Sequence, residues 1–145
     1  MMQRETIVEE VHRRLAGVSG VRRCVRDPEA PPGEGGLPAI HIFELNDEVT
    51  DSKGQLYPSH RSVLGLAIEV FIAGTSEGAA PKELMSFVEA VLKALYIDGA
   101  SLGGLALLRM TGATRIVVVE GDHVRGIGLA FDIVYSEDIR AIATG

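Results

Sequence analysis

Two long segments of the chain alternate large aliphatic residues with other residues, and this pattern restricts the fold to a sheet with unequal faces. In Arg61–Ala73, Leu, Ile and Val occupy every second position and small residues such as Gly65 fall between them. Arg125–Tyr135 repeats the alternation, with Gly128 at its centre. Because successive side chains of a strand point to opposite faces, each segment predicts a strand with large aliphatic residues on one face and mainly small residues on the other. We call the face with small residues the thin face.

Two helices are predicted beside these strands, each with one apolar stripe. The longer is Pro81–Leu95, in which proline suits the first position of a helix. Its apolar residues recur at spacings of three and four: Leu84, Phe87, Val88, Val91, Leu92 and Leu95. The other is Ile7–Ala16, which Thr6 and Glu9 would begin as a capping box and Gly17 would end in the left-handed conformation.

The remaining apolar segments are shorter and predict four more strands: Val21–Val25, Pro38–Leu45, Leu105–Met110 and Arg115–Glu120. Turns are predicted at Thr111–Ala113 and Gly121–His123. Runs of consecutive strands favour antiparallel pairing, and two one-sided helices can cover only one face of a sheet. We therefore predict one α+β domain over residues 1–145, with a mostly antiparallel sheet, two helices on one face and the order α-β-β-β-α-β-β-β.

Two polar segments between the predicted strands are interpreted as loops. Asp27–Gly36 is rich in proline and glycine, which favour turns. Asn46–His60 is the longest polar segment of the chain. Loops of this length are uncommon in compact domains and are usually functional or disordered, so this segment is a candidate for contact with another molecule.

The charge of the chain and its single cysteine argue against several kinds of protein. A net charge of −6 opposes non-specific attraction to nucleic acid or to an anionic membrane. Cys24 is the only cysteine, so an intramolecular disulfide and a metal site built of cysteines are excluded. Because no segment resembles a signal peptide or a membrane span, we expect the chain to be made and kept in a cytoplasm or in a particle assembled there.

Catalytic motifs are nearly absent, and we expect no enzyme activity, cofactor or metal. Residues 99–103 match the GxSxG form of a nucleophile elbow around Ser101, with Asp122 and His123 later in the chain. A nucleophile elbow lies between a strand and a following helix, and here a helix precedes the motif and a strand follows it. Cys24 lies beside arginines that could lower its pKa, but no histidine partner is nearby, so we interpret it as a buried packing residue.

The thin face of the two long strands is the feature that most needs a functional explanation. Two helices cannot cover both faces of the sheet, so this face is either open to water or a subunit interface that another backbone approaches closely. The candidate interface residues are those at the alternate positions of both strands: Gly65, Ala67, Glu69, Gly126, Gly128 and Asp132.

The pattern of the whole chain resembles the tail terminator proteins of long-tailed bacteriophages. The resemblance rests on six segments: IVEEVHRRLAGVSGV, GGLPAIHIFELNDE, RSVLGLAIEVFIAG, LMSFVEAVLKAL, DGASLGGLALLRMTG and VVVEGDHVRGIGLAFDIVYSED. It implies a structural, non-enzymatic subunit of the virion, assembled in the host cytoplasm. Such a subunit would form a homohexameric ring that caps the head-proximal end of the tail tube, stops tube polymerisation and belongs to the head–tail junction.

The same resemblance implies the partners of the ring. These are the tail tube protein and a head–tail connector or head-completion protein, with DNA passing through without specific binding and without any membrane. It also implies that the long loop faces the tube or the channel, which makes its charged and aromatic residues candidate contacts: Asp47, Glu48, Asp51, Lys53 and Tyr57.

Three alternatives remain open at the level of sequence. One is another phage neck or tail-completion protein of similar build. Another is a small nucleic-acid-binding module that uses the arginines of the first third of the chain: Arg13, Arg14, Arg22, Arg23 and Arg26. The last is a small hydrolase that uses Ser101.

Overall fold

The structure is a computed structural model that describes residues 2–52, 59–74, 80–116 and 124–138. Within these residues the chain forms α1 (Gln3–Ala16), β1 (Arg23–Arg26), a short 3-10 turn (Glu34–Gly36), β2 (Ala39–Ser52), β3 (Ser59–Ala73), α2 (Ala80–Leu95), β4 (Leu107–Ile116) and β5 (Val124–Asp138).

The sheet has five strands in the order β1-β2-β3-β5-β4. The β2–β3, β3–β5 and β4–β5 pairs are antiparallel, whereas β1 runs parallel to β2. The predicted α+β class, with two helices on a mostly antiparallel sheet, is confirmed. β1 is the one parallel strand among those described, because the Asp27–Gly36 segment is long enough to return the chain for parallel pairing.

The helices cover one face of the sheet and form the main core with it. From α1, Ile7, Val8, Val11 and Leu15 are buried, and from α2, Val88, Val91 and Leu95 are buried. They pack against the large aliphatic residues of the strands, among them Leu66, Ile68, Leu129 and Ile133. Leu84 and Phe87 of the predicted α2 stripe are only partly buried at the margin of this core.

In the described residues, two strands, β4 and β5, follow α2, where three were predicted. The predicted strands Leu105–Met110 and Arg115–Glu120 are parts of one strand, β4, as far as residue 116. The predicted turn at Thr111–Ala113 is instead a β-bulge. Met110 pairs with Phe131 and Gly112 pairs with the adjacent Ala130, so Thr111 is one extra residue in β4. Glycine in a strand often marks such a bulge, which accommodates one extra residue without ending the strand. Residues 117–120 and the predicted turn Gly121–His123 lie outside the described residues.

The predicted loop Asn46–His60 is also mostly strand in the described residues. β2 continues to Ser52 and β3 begins at Ser59, so Asp47, Glu48 and Asp51 are strand residues. Two β-bulges, between Glu44 and Asp47 and between Val49 and Asp51, interrupt the pairing with β3. They break the two-residue alternation from which a strand is recognised. Lys53 and Tyr57 lie outside the described residues.

The ends of α1 are set by partners that the local sequence does not reveal. The helix begins at Gln3, so Thr6 lies inside it and the predicted capping box is wrong. The backbone N–H groups of Gln3 and Arg4 donate instead to the Glu137 carboxylate on β5, at 2.8 and 3.2 Å. Gly17 has φ −85°, so its predicted left-handed conformation is also wrong.

Candidate functional site

The six predicted interface residues lie together on the sheet face opposite the helices. Gly65 pairs with Asp132, and Glu69 pairs with Gly128, across the β3–β5 ladder. The residues between them on β3, such as Leu66 and Ile68, are fully buried on the helix face. The structure therefore brings the six residues onto one surface, and their role as an interface stays a prediction.

Two of these glycines make room for the chain's own side chains. A Cβ atom at Gly126 would lie 2.7 Å from Cδ1 of Phe71, because the Phe71 ring covers this position. Phe71 forms a small second core with Leu37 and Ala39. A Cβ atom at Gly65 would lie 3.2 Å from Cβ of Leu45. At these two positions the absence of a side chain is therefore explained by packing within the chain.

The part of this face that stays accessible is centred on Gly128, and we call Ala67, Glu69, Gly128 and Ala130 the open patch. All four are partly exposed. A Cβ atom at Gly128 would make only ordinary contacts, 3.7 Å from the Thr114 carbonyl oxygen and 3.8 Å from Ile116. Partial burial raises the pKa of Glu69. A patch of small residues with one carboxyl group suits contact with another protein surface better than it suits a ligand pocket.

His41, which pairs with Glu69 of the open patch, is a buried packing residue. Its ring packs edge-on against Phe71, with a centroid distance of 5.3 Å, and against Phe43 at 6.3 Å. Burial, and secondarily the positive charge of Arg23, lowers the pKa of His41. His41 therefore favours the neutral form and serves as a packing residue.

Asp47 is bound inside the chain and is not a free acid on a loop. Its carboxylate forms an ion pair with Nε of Arg4 at 2.9 Å and accepts a hydrogen bond from the Tyr135 hydroxyl at 3.1 Å. Burial first, and then the Asp47 charge, raises the pKa of Tyr135 to about 12. Glu48, the next residue, is exposed and pairs with Val63 on the face of the open patch. Among the five predicted contact residues, only the side chains of Asp47 and Glu48 are described. Asp47 binds Arg4 and Tyr135, whereas Glu48 is exposed and is not part of that network.

The arginines proposed for nucleic-acid binding are largely engaged within the chain. Arg26 joins α1 to β2, since it contacts Glu5 and also Glu44, the latter at 2.9 Å. Arg14 donates to both oxygens of Asp98, at 2.9 and 3.0 Å, and to the Leu95 carbonyl at the end of α2. Arg13 pairs with Glu10 on its own helix. Because three of the five predicted arginines already have carboxylate partners, the structure does not favour the nucleic-acid module.

The two candidate nucleophiles are Ser101 and Cys24. Ser101 lies in the turn after α2, where its Oγ accepts a hydrogen bond from the Gly104 N–H at 3.3 Å. Asp122 and His123, its candidate partners, lie outside the described residues. Burial raises the pKa of the Cys24 thiol to about 11, so this residue stays protonated and unreactive at neutral pH. The interpretation of Cys24 as a packing residue agrees with this environment.

Among the residues with described positions, no group of three or more His, Cys, Asp or Glu side chains is placed to hold a metal ion. No helix within the described ranges has both the length and the apolar character needed to cross a bilayer.

The sheet has two edges that are free over most of their length within the described residues. β1 pairs with β2 only at Ala39–Ile42, and Asp27 binds the Ile42 carbonyl and the Glu44 N–H. Residues 45–52 follow, and we call them the β2 edge. On the other side of the sheet, the Leu108 N–H donates to the Ala100 carbonyl at 2.7 Å, and residues 109–116, the β4 edge, come after it.

Neither edge was predicted, because residues 46–52 lack the alternation of a strand and the bulge in β4 resembles a turn between two strands. The β-branched pair Val49 and Thr50 inside an acidic segment is the one local signal that favours a strand there.

Comparison with known proteins adds little to this description. No protein-family model matches the chain, and no curated protein matches it. Among solved structures, the chain is similar to one described as the virion of a native gene transfer agent particle. That similarity covers 88% of this chain and 91% of the other, with 16% sequence identity and a TM-score of 0.44. A similarity this low does not establish a shared function.

Proposed function

We propose that this chain is a structural subunit of a phage-like particle. More specifically, it forms a homohexameric ring on the head-proximal end of a tail tube, stops tube polymerisation and belongs to the head–tail junction. In this proposal its partners are other copies of itself, the tube protein and a connector or head-completion protein. The ring lets DNA pass without binding it specifically, is assembled in the host cytoplasm and ends in the virion.

The observation that carries the proposal is the one-sided cover of the sheet. Both helices pack on one face, while the open patch on the other face carries only small side chains and one carboxyl group. A surface of this kind can receive another protein backbone at close range. The resemblance of the strand and helix segments to tail terminators supplies the kind of assembly in which such a subunit would act.

The open patch is proposed as part of the contact between copies in the ring. Because Gly128 has space for a Cβ atom, a larger side chain there changes the surface without disturbing the core. Gly128→Leu is therefore expected to reduce ring assembly while the protein stays folded. A fully assembled Gly128→Leu protein would exclude the open patch from the contact.

The connection between β2 and β3, which contains Lys53 and Tyr57, is proposed to face the tube or channel together with the adjoining Asp51. Asp47 is left out of this role, because it is bound by Arg4 and Tyr135. A replacement of Asp47 by lysine would therefore test folding rather than channel lining.

The test of the proposal combines native mass measurement with capping of isolated tail tubes. A closed ring in solution, or a ring that forms on tubes and stops their further growth, is the expected result. Because assembly of a ring can depend on the tube, a monomer in dilute solution is followed by the tube assay, with native capped tubes as the control. A monomer that neither assembles nor caps tubes contradicts the proposal. A protein that assembles but binds a different part of the neck supports the alternative of a tail-completion protein.

A further inference from the structure

The two free edges of the sheet carry opposite charges. The β2 edge contains Asp47, Glu48 and Asp51 and no Lys or Arg. The β4 edge contains Arg109 and Arg115 and no Asp or Glu. Arg109 is engaged by Asp132 at 3.2 Å and Asp47 by Arg4, which leaves Glu48 exposed on the face of the open patch and Arg115 exposed on the helix face. Like edges of two copies would repel each other, whereas unlike edges would attract.

The same two edges also expose large apolar side chains. Leu45 and Val49 on the β2 edge are 52% and 57% exposed. Met110 on the β4 edge is 36% exposed, and Leu107 just before that edge is 55% exposed. A free strand edge with exposed apolar residues is a template for pairing with another strand, which proteins usually block with charges and bulges. Here the bulges are present, but the charges differ in sign and so select a partner instead of excluding all partners.

The direction of the strands allows the sheets of successive copies to continue into one another. β2 and β5 run one way, and β3 and β4 run the other, because each neighbouring pair among them is antiparallel. When copies are related by rotation about an axis that is inclined to the strands by less than a right angle, β4 of one copy therefore meets β2 of the next in antiparallel orientation. Because each copy offers one edge of each kind, this head-to-tail contact can close into a ring.

We propose that the β4 edge of one copy pairs with the β2 edge of the next, with a second copy of this chain as the occupant of both edges. This interface rests on the proposed ring and names its contact. The β4 edge and the free half of β2 lie toward opposite ends of the sheet, so the strands must be inclined to the ring axis, as they are in closed barrels. The neighbour's β2 would then lie alongside β4 and next to the open patch. The surface of contact between two copies would therefore include both the edges and the open patch.

Disulfide trapping between two variants that carry a cysteine at different edges tests the edge contact directly. Glu48→Cys is mixed with Gly112→Cys or Thr114→Cys, which lie on the same sheet face as Glu48. Disulfide formation requires Cα atoms within about 7 Å, so only copies paired at these edges are expected to cross-link. The control pair, Glu89→Cys with Lys93→Cys, lies on the exposed side of α2. Cys24 is not expected to react, because it is partly buried and its thiol stays protonated.

Charge reversal supplies a second measurement on the full chain. Glu48→Lys is expected to weaken association of copies about tenfold, because it places a positive charge opposite the positive β4 edge, and Glu48→Lys combined with Thr114→Glu, on the same sheet face, is expected to restore it. Lys93→Glu on α2 is the matched control and should leave association unchanged. Circular dichroism verifies that each variant is folded.

The outcomes separate this interface from the proposed function. Cross-links at the edges and restoration of association by the double variant support the interface. If the same protein does not cap tubes, the interface stands and only the proposed role in the tail is wrong. Assembled rings without an edge cross-link, or without an effect of Glu48→Lys, overturn the interface and leave the ring. A protein that neither cross-links nor caps tubes overturns both.

Discussion

At the scale of single residues, Glu137 shows how one distant side chain determines where a helix begins. It is buried on β5, and its carboxylate accepts hydrogen bonds from two backbone N–H groups of the first turn of α1. The first N–H groups of a helix have no partner within the helix, and a carboxylate there also interacts favourably with the helix dipole. The two contacts together compensate for the missing side-chain cap at Met2.

Removal of this carboxylate should therefore destabilise the protein. Glu137→Ala is expected to lower the free energy of unfolding by about 1–2 kcal/mol, the usual cost of a lost helix cap. Urea titration followed by circular dichroism measures the loss. Glu9→Ala, at an exposed position of the same helix, is the control and should change stability by less than about 0.5 kcal/mol. Equal effects of the two substitutions would show that Glu137 does not support α1.

The two glycines of β5 give a matched test of close packing. A Cβ atom at Gly126 would collide with the Phe71 ring, whereas a Cβ atom at Gly128 has room. Gly126→Ala should cost about 1–3 kcal/mol through overpacking, and Gly128→Ala should be neutral or slightly stabilising. Thermal and urea unfolding of the pair measure the difference. If both glycines tolerate alanine equally, the Phe71 ring does not hold its place over Gly126.

At the scale of elements, α2 stabilises the sheet through the inner part of its apolar stripe. Leu95 is fully buried, while Phe87 is only partly buried. Leu95→Ala should therefore cost about 2–5 kcal/mol, and Phe87→Ala should cost less despite its larger side chain. Lys93→Ala, on the exposed side, is the control. A greater loss from Phe87→Ala than from Leu95→Ala, in denaturant titration, would place the ring in the core.

The contact between α1 and α2 depends on pH through Asp98. The Arg14 guanidinium holds the pKa of Asp98 below its ordinary value of 3.8. A carboxyl group whose pKa is lower in the folded protein than in the unfolded chain stabilises the fold only while it is ionised. The contribution of Asp98 to the free energy of unfolding is therefore complete above about pH 5 and is lost as the pH falls below about 4. Asp98→Asn should make the stability less dependent on pH in that acid range, measured by urea titration at several pH values. An unchanged dependence would show that Arg14 does not stabilise the ionised form.

At the scale of the whole molecule, the connection between β2 and β3 is the part that the proposed function assigns to the tube. Replacing residues 53–58 with a glycine–serine linker of equal length removes Lys53 and Tyr57 and keeps the strand connection. We expect rings of normal mass that cap isolated tubes poorly. A linker of the same composition in place of residues 28–33, in the polar segment after β1, is the control and leaves Asp27 in place. Normal capping by the 53–58 variant would exclude this connection from tube contact.

The sequence by itself determined the elements whose residues repeat with a regular period. The apolar stripe of α2 and the alternation in β3 and β5 depend on each residue's own position along the chain, and these elements lie close to where they were predicted. The α+β class followed from them. The six residues of the thin face were also correctly grouped, because alternation within a strand places them on one side.

Tertiary structure alone decided the features that depend on a distant partner. The bulges of β2 and β4 accommodate extra residues against β3 and β5, and no local pattern distinguishes them from a loop or a turn. The start of α1 depends on Glu137, and the burial of Gly126 depends on Phe71. The two oppositely charged edges depend on the strand order of the sheet, in which, among the described residues, no strand lies beyond residues 45–52 of β2 or beyond β4. The order of strands in space is not contained in any local pattern of the sequence.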